Sequence, residues 1–313
     1  MAVRPPWRVA GVDYRVGIDV GVTLKPITDF TTDHPEWASI VIFDGTLIRM
    51  WKSGGGAPVV TFDGYDFTGY TIYCSNVDFI CINCKSSLAG WVIMRHDGGE
   101  DNSGSCTLTN CEVDGTGMSA LDYNRYIYMR GEGTLTMRYC WIHNIANHGV
   151  EYQGQAGSGA PPRYDVKYCL FDEFSDSTTS SDVPPSGVHT NFWQCFGGSS
   201  NDSSVLNFNT WKQHVNYEGG QGIQLSGTNS QCNNNTCVIY DTGPGGTGSA
   251  IAAMFDAGHA GENYTGEIKD NYIYRAGIRV VDGFSVFYPS SLGVPAVSGN
   301  IDMQTGAIIT ADD

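Results

Sequence analysis

This chain of 313 residues is short of three things: long apolar runs, helical periodicity and positive charge. No stretch is long and apolar enough to cross a membrane as a helix. No run repeats apolar residues at a 3.6-residue spacing, and 40 Gly with 12 Pro disfavour helices further. Lys and Arg total 17 against 33 Asp and Glu, for a net charge of −16 and a pI near 4.6. No basic patch stands out, which excludes nucleic acid as the expected partner. A surplus of this size repels other polyanions, so an acidic polysaccharide would have to be held by local Arg or a bound cation. The first residues, Met1-Ala2-Val3-Arg4-Pro5-Pro6-Trp7, lack the apolar segment of a secretory signal, and none is expected. The ten cysteines therefore do not read as a secreted disulfide framework.

What is present is a repeat. Cys84, Cys111, Cys140 and Cys169 occupy one place in successive segments, and Asn209, Asn235 and Asn271 take over that place. The positions 84, 111, 140, 169, 209, 235 and 271 differ by 27, 29, 29, 40, 26 and 36 residues. An apolar residue lies three before each and another two after it, with Ser86 as the one lapse. Repeats at this interval define a solenoid. The segments are short β runs separated by Gly, Asn, Asp and Ser, so each turn contributes strands rather than helices. Neighbouring turns then lie about 4.8 Å apart, and like side chains stack on like. Stacked Asn can hydrogen-bond along the pile and satisfy backbone at the bend. The cysteines read as buried thiols, because side chains running parallel along a stack miss the disulfide dihedral. Apart from Cys81 and Cys84, no C-x-x-C spacing with convergent His suggests a metal. No motif supports calcium, and no cofactor is expected.

These ladders resemble the right-handed parallel β-helix of pectate-lyase-like proteins over roughly residues 40–300. The expected fold is all-β: a single-stranded right-handed parallel β-helix with Cys and Asn ladders. Residues 1–39 do not fit the repeat and are assigned to an N-terminal cap or attachment segment. Residues 40–309 form the β-helix, and 310–313 are a frayed tail.

A second set of strands follows each bend. Val92, Ile127, Val150, Val188, Ile223 and Ile251 are predicted to point inward, which turns the next residue of each outward. That register sets Arg95, Arg130, Glu151, Gln153, His189, Asn191, Trp193, Gln224 and Ser226 on one outer strip. An outward strand face is polar in any soluble protein, but this one is richer in Arg, His and Trp than solvation requires. Tyr128, Tyr126 and Trp193 would offer rings to sugars. Arg130, Glu151 and His189, stacked in steps of about 4.8 Å, would reach one sugar.

Two chemistries fit the strip. Glycoside hydrolysis needs two carboxylates, with Glu151 first and Asp97 or Asp182 as loop partners. Elimination from a uronate needs an Arg to offset the carboxylate and a base beside it, which Arg95 or Arg130 and His189 could supply. Gly187-Val188-His189-Thr190-Asn191-Phe192-Trp193-Gln194 is similar to the His-x-Asp-x-x-Gln strand of polysaccharide-related β-helices, with Asn191 in the acid's place. His143 and His148 read as turn residues near the Glu151 strand.

The resemblance extends to phage tail-spike-type proteins. It implies a virion-associated protein, made in host cytoplasm before assembly, that recognises a polysaccharide and, if active, trims it. Its partners would be other virion subunits or copies of itself as a trimer. A free-standing polysaccharide lyase or hydrolase, and a structural virion protein without catalysis, are the alternatives.

Overall fold

A computed structural model describes residues 7–52, 57–87, 91–93, 104–116, 127–131, 133–145, 149–154, 163–174, 192–196, 203–213, 222–240, 254–256, 264–274, 286–288 and 295–310. The chain is all-β in character. Among the described residues its strands fall into three sheets of eleven, nine and ten strands. Asp78–Ile82 belongs to the nine-stranded sheet, Lys85–Ser87 to the eleven-stranded sheet and Trp91–Ile93 to the ten-stranded sheet. Cys106–Thr109, Glu112–Asp114 and Ile127–Gly131 then repeat that order. Each return pairs in parallel with the strand one cycle earlier, as Cys106 does with Phe79 and Glu112 with Lys85. No helix among the described residues is long and apolar enough to cross a membrane.

Among the described residues two antiparallel pairs occur, one at each end. Val41–Asp44 folds back on Leu47–Trp51 through Gly45, whose φ of +59° suits a residue without Cβ. Asn300–Asp302 pairs with Ile308–Ile309. Both hairpins occupy open sheet edges that would otherwise invite further strands.

Alternation along each strand builds the core. Thr71–Ser75, Asp78–Ile82 and Thr134–Arg138 bury every second residue. Cys81, Leu108, Met137, Val166 and Leu206 form one inward row of the nine-stranded sheet. Ser86, the lapse in the repeat, also points inward and is fully buried.

The cysteine and asparagine ladder sits at the bend from the nine-stranded to the eleven-stranded sheet. All ten cysteines are free and buried. The residue before each ladder position has positive φ: Asn83, Asn110, Tyr139, Tyr168, Phe208, Asn234, Asp270 and Gly299. Asn300 extends the ladder one step beyond the sequence reading. Its side-chain oxygen accepts the Asn271 backbone N–H at 3.0 Å, and its amide donates to the Ile268 carbonyl at 2.9 Å.

The N-terminal residues do two things. Residues 27–37 form short helical turns at the end of the stack, where Phe30 packs on Phe62 with ring centroids 4.2 Å apart. Residues 7–26 instead run along the side of the molecule, over the ladder bends, against the direction in which strands are added. Trp7 lies on Tyr272, and the Arg8 carbonyl accepts from Thr236. The Ala10 N–H donates to Thr210, and the Gly17 N–H to the Tyr139 carbonyl. Asn110 donates to Asp19, and the Lys25 N–H to the Gly64 carbonyl. This strap ties bends that are far apart in sequence.

The register of the ten-stranded sheet aligns Trp91, Ile127, Val150, Trp193, Ile223 and Phe255. Ile127, Val150 and Ile223 are buried as expected, and Trp193 and Phe255 share their row, whereas Trp193 was expected to point outward. Val188 and Ile251, also expected inward, lie outside the described residues, as does the side chain of Val92. Trp193 and Phe255 are fully buried. Burying an indole or a phenyl ring removes more apolar surface from water than burying Val or Ile.

Candidate functional site

The face opposite that core row carries a line of polar and aromatic side chains. Val92 pairs with Tyr128, Tyr128 with Glu151 and Glu151 with Gln194. Gln224 follows Ile223, the register partner of Trp193, and itself pairs with Asp256. Tyr128, Glu151, Gln194 and Gln224 are all buried, at 8%, 2%, 4% and 0% exposure. Both amide atoms of Gln224 and the Oε1 of Gln194 have no hydrogen-bond partner among the described residues. A buried amide left unpaired costs about 1–3 kcal/mol per group, so Gln194 and Gln224 hold unused hydrogen-bonding capacity.

The expected site residues meet different fates. Glu151, Tyr128 and Gln224 share the row. Arg130 and Gln153 are register partners two residues further along their strands. Trp193, expected to offer a ring to sugar, lies in the core, because its neighbour Gln194 takes the outer position. Ser226 is buried and donates to Cys195 Sγ at 3.1 Å. Arg95, His189 and Asn191 lie outside the described residues, as do Tyr126, Asp97, Asp182 and His148.

His143 is not a turn residue near Glu151. It sits on a strand of the eleven-stranded sheet, as the register partner of Asp114. Its Nε2 is 3.5 Å from Glu112 Oε1, and its Nδ1 is 2.8 Å from the Asn144 amide. Trp141 stacks on the ring at 3.8 Å between centroids. Glu112, Asp114 and His143 bring ligand-type atoms within 4.8 Å of one another. The charges in this cluster are already answered. Lys85 stands 3.0 Å from Glu112, and Thr116 and Asn144 donate to Asp114. The His143 contact, then Lys85, hold the Glu112 carboxyl below its ordinary range. A cation here would have to displace Lys85.

A third feature lies under the strap, and sequence reasoning missed it. Tyr139, Tyr168 and Phe208 stack at ring separations of 5.2 and 5.3 Å, with planes 10° and 15° apart. Tyr14 from the strap meets Tyr139 and Tyr168 edge-on and donates its hydroxyl to the Phe208 carbonyl at 2.9 Å. A cavity of about 400 Å³ opens here, with Trp7, Arg8 and Asn234 completing its walls. Comparison of the chain with known protein families, curated proteins and solved structures finds no match.

Proposed function

We propose that this chain is a right-handed parallel β-helix of the pectate-lyase-like kind that recognises a glycan along the outer face of its ten-stranded sheet. The cyclic visits to three sheets support the architecture. Right-handedness follows the strong preference of parallel crossover connections. The observation that carries the functional reading is the buried row of Glu151, Gln194 and Gln224 with its unpartnered amide atoms. Amides and a carboxylate repeating at strand spacing match a polymer rich in hydroxyls, since each sugar hydroxyl both donates and accepts. Such a ligand would relieve the cost of the unpaired groups.

Within the described row Glu151 has no second carboxylate at catalytic spacing, and Asp97 and Asp182 lie outside the described residues. The strand neighbours of Glu151 are Tyr128 and Gln194. Asp256 stands three strands away from Glu151, about 14 Å at the usual strand spacing. A retaining or inverting pair needs about 5–9.5 Å. The tail-spike resemblance suggests the setting, a phage particle surface on which the chain meets other virion subunits or copies of itself.

The test is an array of neutral and acidic bacterial surface oligosaccharides probed with the full chain. Reducing ends and ultraviolet absorbance of unsaturated sugars are followed on every hit. Specific binding is expected. Absorbing products would add elimination, and reducing ends alone would add hydrolysis. A folded chain that retains no glycan overturns the proposal.

A further inference from the structure

The aromatic stack under the strap sits where the backbone least favours it. Tyr139, Tyr168 and Phe208 have φ of +53°, +61° and +60°. At the equivalent bends the chain uses Asn83, Asn110, Asn234, Asp270 and Gly299, the residue types that tolerate this conformation. Stacking offsets part of the cost for the three aromatic residues. Tyr14 uses Tyr139 and Tyr168 as a docking platform, which explains why the strap lies here. It leaves the rest of the cleft unexplained. Tyr139 and Phe208 remain 39% and 40% exposed. Trp7 and Tyr272 lean together at 5.6 Å and 47°, closing one end of the cavity with two rings.

Two polar residues, Arg8 and Asn234, also line that cavity. The Arg8 guanidinium and the Asn234 side-chain amide have no hydrogen-bond or ion-pair partner among the described residues, and both residues are exposed. Among the described residues of the lining, Arg8 is the only charged one. On a chain of net charge −16, a lone cation among rings is a local reversal of the overall field. Rings match the apolar C–H face of a pyranose, an amide matches its hydroxyls, and a guanidinium matches a carboxylate in bidentate fashion. No carboxylate stands among the described residues of the lining.

We infer that this cleft is a second glycan subsite, selective for a sugar that carries a carboxylate, with Arg8 holding the acid and Asn234 a hydroxyl against the aromatic walls. The inference rests on the glycan reading above and adds the class of sugar and a separate point of contact. The strap forms one wall, so the subsite exists only while residues 7–14 lie against the bends.

The experiment titrates the full chain with hexagalacturonate and with a sialylated trisaccharide as acidic probes, and with maltohexaose as the neutral probe. Binding is followed by calorimetry and by saturation-transfer NMR. An acidic probe is expected to bind, with affinity falling about tenfold in Arg8→Ala because the paired charge is lost. Asn234→Asp keeps a residue that tolerates the positive φ and sets a negative charge opposite the acid, and it should weaken binding similarly. Neither acidic probe binding, or equal binding to Arg8→Ala, overturns the inference. Acidic binding that disappears in Gln224→Met but survives in Arg8→Ala assigns the sugar to the outer row and overturns only the second subsite.

Discussion

The side-chain oxygen of Asn209 accepts the backbone N–H of Cys169 at 3.0 Å, and at this contact the ladder changes residue type. The two residue types do the same work. Cys111 and Cys140 donate Sγ–H to the carbonyls of Cys81 and Leu108, each three residues before the preceding ladder position. Asn209, Asn235 and Asn271 donate their amides to the carbonyls of Val166, Leu206 and Cys232, which hold that same place. Cys169 Sγ in turn accepts the Cys140 N–H at 3.4 Å.

Asn235 is the clearest place to test this. It accepts the Asn209 N–H at 2.9 Å and donates to the Leu206 carbonyl at 2.8 Å. Asn235→Ala leaves both groups buried and unpaired, and should lower unfolding free energy by about 2–4 kcal/mol. Asn235→Cys should cost clearly less, since a thiol serves the same carbonyl elsewhere in the ladder. Urea unfolding of the two variants decides; equal losses would mean that the side chain acts only by filling space.

Leu206 lies in the inward row and is fully buried. Leu206→Ala should cost about 2–5 kcal/mol by the same measurement. A change below about 0.5 kcal/mol, as seen at surface sites, would contradict the register.

Alkaline pH should loosen the fold. Burial pushes the Cys74 thiol from 9.0 up to about 12, and it raises Cys106, Cys232 and Cys237 in the same direction. In the unfolded chain these thiols ionise near their ordinary value, while the fold keeps them neutral. Their contribution is complete below pH 9 and is lost as pH rises from 9 toward 12. The urea midpoint should fall across that window, and the thiols should stay closed to a disulfide reagent at pH about 8 until the chain unfolds. A flat midpoint, or rapid reaction of native thiols, would contradict the buried ladder.

The ladder was legible because identical residues recur beside apolar positions of fixed offset, a pattern that packing imposes locally. Trp193 was not, because Val188, Phe192 and Trp193 offer apolar residues at both parities, so alternation cannot choose between them. Phe192 is itself buried in the structure. The strap left no local trace: Ala10 meets Thr210 and Tyr14 meets Phe208 across about 200 residues of chain. The aromatic cleft was hidden for a related reason. Tyr139, Tyr168 and Phe208 read as ordinary strand residues until positive φ and the strap turn them into a stack. The Gln224 position was readable from strand parity alone, but the missing partners of its amide were not.

Gln224→Met tests the central claim most directly, because it replaces an unpartnered buried amide with an apolar side chain of similar shape. Stability and glycan binding are measured on the same preparation. The account predicts a gain of about 1–3 kcal/mol in unfolding free energy, from removal of unpaired polar atoms, together with loss of neutral-glycan binding. A variant that is less stable than the parent, or that binds neutral glycan as well as the parent does, would contradict it.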